Sequence, residues 1–291
     1  MANLTYFKKF DTKSDYDAYI DGTPVLPNVS IVANEDVYFK DSESPEPPHD
    51  YSQDYLTFVM LEDGGGIEAN VDGISFSKDG ETWVEEMTGL TANDKVFAKG
   101  NVKKSSATWS WFNVTNNRFF VEGNVMSIYD ADGFRTRTTF DSPEDNLAYL
   151  FKELYGLTSA KNLILPATTL TENCYYNMFN NCASLTEAPE LPATTLGDAC
   201  YGSMFQYCSS LTTAPELPTT TLAEGCYWGM FESCTNLNYI KCLATDISAS
   251  DCTSGWVYDV SPTGTFVKAA SMTDWTAGND GIPDGWTVQD A

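Results

Sequence analysis

A 26-residue unit recurs three times in the second half of the chain, and this period constrains the fold more than any other feature. Leu165-Pro166-Ala167-Thr168-Thr169-Leu170, Leu191-Pro192-Ala193-Thr194-Thr195-Leu196 and Leu217-Pro218-Thr219-Thr220-Thr221-Leu222 each lead, four residues on, into Cys-Tyr-x-x-Met-Phe-x-x-Cys. A unit this short cannot enclose its own apolar face, so neighbouring copies must stack to supply a core. The cysteines mark the register. Cys174, Cys200 and Cys226 form one column and Cys182, Cys208 and Cys234 another. Cys252 falls one period beyond Cys226, in a degenerate fourth copy where Leu243 and Trp256 stand for Leu217 and Met230.

Within the first copy Cys174, Met178 and Cys182 are spaced i, i+4, i+8 with Tyr175 and Phe179 beside them, which predicts the stripe of a short amphipathic helix. Cys200, Met204, Phe205 and Cys208, then Cys226, Met230, Phe231 and Cys234, extend this expected repeat core. Residues 184–190 read as a brief extended segment closed by Pro189, because proline gives no N–H to a ladder and disfavours helix in the residue before it. A strand and a helix in about two dozen residues predict an α/β repeat solenoid of leucine-rich-repeat type, with short parallel strands on one side and short helices on the other. Ser142 as N-cap, Pro143 at the first helical position, Leu147, Leu150, Phe151 and Leu154 on one face, and Gly156 as the stop predict a capping helix ahead of the repeats.

The unit C-Y-x-x-M-F-x-x-C-x-S-L-T-x-A-P-E-L-P-A-T-T-L resembles the BspA-like leucine-rich-repeat family, found on surface proteins of gut anaerobes and in structural proteins of their phages. The closing run from Gly264 through Met272-Thr273-Asp274-Trp275 to Trp286-Thr287-Val288 resembles the usual terminus of such proteins. Together these cover roughly residues 156–291. The resemblance implies the fold and leaves the ligand open.

Four segments are expected. Residues 1–50 form an N-terminal anchoring segment ending in the acidic, proline-rich linker Asp41-Ser42-Glu43-Ser44-Pro45-Glu46-Pro47-Pro48, too small to hold much core alone. Its Leu26-Pro27-Asn28-Val29-Ser30 run resembles attachment segments of phage virion proteins that carry such repeats. Residues 51–141 alternate short β-like runs, such as Tyr55-Leu56-Thr57-Phe58-Val59-Met60-Leu61 and Thr108-Trp109-Ser110-Trp111-Phe112, with turn residues at Gly64-Gly65-Gly66, Asp79-Gly80, Asn116-Asn117 and Asp132-Gly133. That pattern predicts a small all-β, sandwich-like domain. Residues 142–255 are the expected solenoid with its capping helix, and 256–291 a C-terminal cap.

With 16 basic against 41 acidic residues the formal charge is −25, which disfavours nucleic acid and anionic membrane surfaces as partners. Residues 1–20 hold no apolar run, so neither a secretory signal nor a membrane span is expected there; if Met1 is the native start, the usual export route is not. All eight cysteines lie at or beyond Cys174. Columns of like residues on successive units favour buried free thiols over disulfides, and the absence of any Cys-x-x-Cys disfavours a metal.

No catalytic set is legible. His49 is the only histidine and sits in Pro48-His49-Asp50, whereas a triad needs a rigidly held base. Gly64-Gly65-Gly66 lacks the Gly-Lys-Ser/Thr of a phosphate cradle. Asp274 and Asn279-Asp280-Gly281-Ile282-Pro283-Asp284 leave two readings, a capping turn or a weak calcium loop short of a full ligand set. The sequons at Asn3, Asn28 and Asn113 read as accidental without export.

A functional surface is suggested by comparing the copies. The columns of the stripe repeat faithfully, while Tyr176/Gly202/Trp228, Asn177/Ser203/Gly229, Asn180/Gln206/Glu232 and Asn181/Tyr207/Ser233 change. Such positions are commonly an unconstrained solvent face, yet aromatic rings beside amides also suit partner or sugar contact. Tyr176, Asn180, Gln206, Tyr207, Trp228 and Glu232 are the candidate binding residues. The expected protein is a non-enzymatic phage virion component, a head or tail decoration or fibre, needing no cofactor or metal. Residues 1–50 would hold other virion proteins and the repeats would meet a host-surface glycan or protein, without nucleic acid or membrane insertion. A homo-oligomer is expected, a trimer being common among fibres. The alternative is a bacterial cell-surface adhesin with the same binding face.

Overall fold

The computed structural model describes residues 49–116 and 118–291, and of the preceding segment the backbone of three strands, β1 (Phe7–Phe10), β2 (Ser30–Ala33) and β3 (Asp36–Phe39). The proline-rich linker, the sequon residues Asn3 and Asn28, and the Leu26-to-Val29 part of the expected attachment run lie outside the described residues. Met1–Asp50 is one compact unit and Tyr51–Ala291 another. In the first, β2 pairs in parallel with β1 and antiparallel with β3, so that Ser30 lies opposite both Phe7 and Phe39.

The second unit begins with β4 (Leu56–Met60), β5 (Gly65–Ala69), β6 (Ile74–Ser77), β7 (Glu86–Leu90), β8 (Lys95–Gly100), β9 (Phe112–Thr115) and β10 (Phe119–Asn124), joined later by β11 (Asn162–Ile164). One sheet runs β11-β10-β4-β8-β6 and a second β7-β5-β9. β4 is buried on both faces between β10 and β8, which explains its unbroken apolar stretch, while β8 alternates Val96 and Ala98 inward with Lys95 and Lys99 turned away. Phe112 of the second sheet meets Phe58 of the first edge-on at 4.9 Å and Phe76 at 6.1 Å. Among the described residues the only α-helix is α1 (Met126–Tyr129), four residues long.

The expected α/β solenoid with short helices is not what the chain forms: the repeats fold as turns, and regular structure elsewhere in the described residues is almost all β sheet. The reason is backbone handedness. Asn173, Asn177 and Asn181 have φ of 54°, 55° and 60°, and the same positive φ recurs at Ala199, Ser203 and Tyr207, at Gly225, Gly229 and Ser233, and at Asp251, Gly255 and Asp259. Tyr149 and Glu153 repeat it in the run expected to be a capping helix, so Ser142 caps no helix. A left-handed residue every fourth position halts an α-helix and leaves a string of overlapping turns.

Five such turn layers follow one another, at 147–154, 173–182, 199–208, 225–234 and 251–258. Within the second, amides of even-numbered residues close turns onto the carbonyl three residues back, as Met178 N–H does to Tyr175 O at 3.2 Å. Amides of odd-numbered residues donate to the next layer: Tyr175 to Cys200 O at 2.8 Å, Asn177 to Gly202 O at 2.9 Å, Phe179 to Met204 O at 2.9 Å and Asn181 to Gln206 O at 2.7 Å. Every amide from 173 to 182 is thus satisfied without a helix, as a buried backbone requires. The extended segments between layers touch mostly through isolated parallel bridges, such as Ser159 with Glu187 and Thr213 with Tyr239. Continuous parallel pairing appears at the two ends, in β10–β11 and in β12 (Tyr239–Cys242), β13 (Thr265–Lys268) and β14 (Thr287–Asp290).

Two files of rings run through the core. Phe112 stacks on Phe151 at 5.8 Å, followed by Phe179, Phe205 and Phe231 at 5.3, 5.5 and 5.8 Å. Beside it Tyr175, Tyr201 and Tyr227 stack at 5.9 and 6.1 Å, and both files end on Trp256, itself stacked on Trp275 at 5.5 Å. The first file starts on β9, so the two-sheet region and the turn layers share one core. Buried Asp145 reinforces the junction by accepting the Tyr129 hydroxyl at 2.6 Å and the Ser142 amide at 3.1 Å. All eight cysteines are free and buried.

Candidate functional site: the outer face of the turn layers

In the three middle layers the Cys, Tyr, Met and Phe side chains of the stripe point into the core, as Leu147, Leu150 and Phe151 do in the first layer and Cys252 and Trp256 in the last, and the residues between them make the outer face. The interlayer hydrogen bonds fix its columns. Asn180, Gln206, Glu232 and Tyr258 fall in one column, because their carbonyls accept the amides of Glu153, Asn181, Tyr207 and Ser233 in the preceding layers. These donors lie one residue beyond the column, so Tyr207 stands beside it.

The six candidate residues fall into two groups. Asn180, Gln206 and Glu232 are tied to one another: Asn180 Nδ2 donates to Gln206 Oε1 at 2.8 Å and Gln206 Nε2 donates to Glu232 Oε2 at 2.7 Å. This chain of polar groups staples three layers together, and Asn180 is buried in it. Tyr176 is also largely engaged, packing edge-on against Tyr149 at 5.6 Å and covering Gly202, where an added Cβ would come within 2.9 Å of the Tyr176 ring. Large-over-small packing in that column therefore accounts for the change from Tyr176 to Gly202. Tyr207 and Trp228 do project outward, 46% and 45% exposed.

Two further rings belong to this face, Tyr155 at 57% and Tyr258 at 52% exposure. Reading the period outward finds Tyr258, one unit after Glu232, but misplaces Tyr155: the first layer is displaced by two residues, so that Glu153 and not Tyr155 takes the place of Asn181. The Tyr155 hydroxyl accepts Asn181 Nδ2 at 3.2 Å, which fixes its ring. Asn177/Ser203/Gly229 and Asn181/Tyr207/Ser233, which vary between copies, are left-handed positions, so backbone conformation limits what stands there.

The chemistry of the face is contact chemistry, rings for stacking beside fixed amides and a carboxylate. The thiols beneath it are sealed: burial raises Cys226 and Cys242 to about 12 and pushes the other columns up as well, so thiolate nucleophiles do not form near neutral pH. Residues 274–284 close the stack. Asp280 Oδ1 accepts the Gly255 amide at 2.6 Å, Asp280 O the Thr253 hydroxyl at 2.8 Å and Gly281 O the Trp256 indole at 2.8 Å. Among the described residues no three His, Cys, Asp or Glu side chains are grouped to hold a metal ion, and no helix is long and apolar enough to cross a membrane. Comparisons with protein-family models, with curated proteins and with solved structures find no match to this chain.

Proposed function

We propose that this chain is a non-enzymatic phage virion protein whose turn layers present an adhesive face to the host surface while residues 1–50 attach to the particle. The observation that carries the binding half is the set of Tyr155, Tyr207, Trp228 and Tyr258, rings about half exposed on a face where Asn180, Gln206 and Glu232 hold one another. Exposed aromatic side chains on a rigid support lose little entropy on contact and make effective hot spots. Support for the attachment half is the division of the chain at Asp50 together with the resemblance of the preceding run to virion attachment segments.

Replacing Tyr207, Trp228 and Tyr258 together with Ala is expected to abolish adhesion of the purified chain to host cells while leaving its melting temperature nearly unchanged, since exposed rings contribute little to the core. Undiminished adhesion would refute the binding half. Particles that still incorporate a chain lacking residues 1–48 would refute the attachment half.

A further inference from the structure

A groove of about 440 Å³ lies where the two-sheet region meets the first turn layer, within the size range of small-ligand sites. Two exposed rings belong to its wall, Trp109 at 56% exposure and Tyr155. A neighbouring cavity of about 340 Å³ shares Trp109 and Asn70 with it, so the indole borders two adjoining spaces. The polar wall is set in advance. Asn70 Nδ2 donates to Ser110 O at 3.0 Å and Asn113 Nδ2 to Glu68 Oε1 at 2.7 Å, which fixes both amide planes and leaves their carbonyl oxygens as acceptors. The lysines that line the two spaces are engaged: Lys152 Nζ donates to Thr108 O at 3.0 Å and lies 3.5 Å from Glu153, and Lys104 pairs with Glu144 at 2.6 Å.

We infer that this groove is a binding site for a neutral oligosaccharide, which seats sugar rings against Trp109 and Tyr155 and hydrogen-bonds its hydroxyls to Asn70, Asn113 and Glu153. Pyranose rings offer an apolar C–H face to an aromatic plane and hydroxyls to planar amides and carboxylates at their edges, the combination found here. An acidic sugar is disfavoured because the lining lysines are already paired and the whole chain carries −25. Preset amides and a ring held through its own hydroxyl reduce the ordering cost of binding. The groove shares Tyr155 with the adhesive face but none of Tyr207, Trp228 and Tyr258, and the inference does not depend on that reading.

The test uses the full chain, ligand-observed NMR and calorimetry, with neutral trisaccharides of glucose, galactose, mannose and N-acetylglucosamine as probes and trigalacturonate as the anionic arm. At least one neutral trisaccharide is expected to bind, with trigalacturonate weaker. Trp109→Ala should weaken binding about tenfold or more, as removal of a central aromatic contact does, and Trp109→Phe should retain most of it. The indole is more than half exposed, so an unchanged melting temperature separates lost binding from lost folding. The Tyr207, Trp228 and Tyr258 triple variant should bind the trisaccharide as the parent does. No binding by any neutral probe, full affinity in Trp109→Ala, tighter binding of trigalacturonate, or loss of binding in the triple variant would each overturn the assignment.

Discussion

The two-sheet region and the turn layers satisfy the same backbone in opposite ways. In the sheets β4 pairs with β10 on one side and β8 on the other, antiparallel throughout, and its hydrogen bonds all go sideways to partners within about seventy residues of chain. In the turn layers each amide alternates between a partner three residues back and one in the next layer, so half of the bonding is local and half crosses the repeat. The sheets can tolerate an irregular sequence because pairing does not depend on side-chain identity. In the layers packing keeps the columns alike, because the rings of one layer rest on those of the next, while the backbone ladder itself also joins unlike residues, as from Leu147 to Cys174 and from Phe231 to Trp256. That accounts for faithful Cys, Tyr, Met and Phe columns in one region and no visible repeat in the other.

The contrast is sharpest at high pH. All eight thiols are in the turn layers or the segments between them, and Tyr175, Tyr201 and Tyr227 are buried beside them with their hydroxyls pushed up by desolvation. An acid raised by the fold stays neutral in the native state while the unfolded chain ionises. Its contribution is therefore complete below the ordinary thiol value of 9.0 and is lost as pH climbs toward the folded value, about 12 for Cys226 and Cys242. Each such thiol removes about 1.4 kcal/mol per pH unit across that window, so the columns together should collapse the melting temperature above about pH 9. A melting temperature that stays flat from about pH 9 to pH 11 would show that the columns are not sealed. A smaller effect tests the ring file. Phe205 has rings above and below it in layers pinned by the interlayer ladder, so the cavity left by Phe205→Ala cannot close, and a loss of about 3–5 kcal/mol in urea unfolding is expected. Because the file reaches β9 through Phe151 and Phe112, the two regions should still unfold in one transition. Two separate transitions, only one of them shifted, would break the continuity of the core.

Much of the stacking was legible in the amino-acid order. The period, the register of the cysteine columns and the inward set at Cys174, Met178, Phe179 and Cys182 follow from side-chain identity, and the rings do lie over one another. The local conformation was not, because apolar residues at i, i+4 and i+8 fit an α-helix and a four-residue turn repeat equally well. The distinguishing signal lay in the other columns. Asn173, Asn177 and Asn181, Gly225 and Gly229, and Asp251, Gly255 and Asp259 are residue types that accept positive φ, spaced by four, though Ala199, Tyr207 and Glu153 dilute the pattern. The junction was invisible for a different reason: Phe112 with Phe151 and Tyr129 with Asp145 are pairs that no local pattern links. The same holds for the groove, which exists only because Trp109 and Tyr155 are brought together from distant parts of the chain.

The least perturbing test of turns against helices is a single methyl group. Gly225 has φ of 57°, and a Cβ built on it would meet no atom within 4 Å, so Gly225→Ala changes backbone preference without creating a clash. In a helix this exchange stabilises by about 1 kcal/mol, since glycine is the poorer helix former. At a left-handed position the methyl group is disfavoured, and a loss of about 1 kcal/mol is expected instead. The sign alone decides. Gly255, with φ of 62° and the same open surroundings, should respond alike in the next layer. Urea unfolding of both variants resolves a difference of this size. A gain in stability at both positions would return these runs to helices and remove the physical basis for placing Tyr207 and Trp228 on a common outer face.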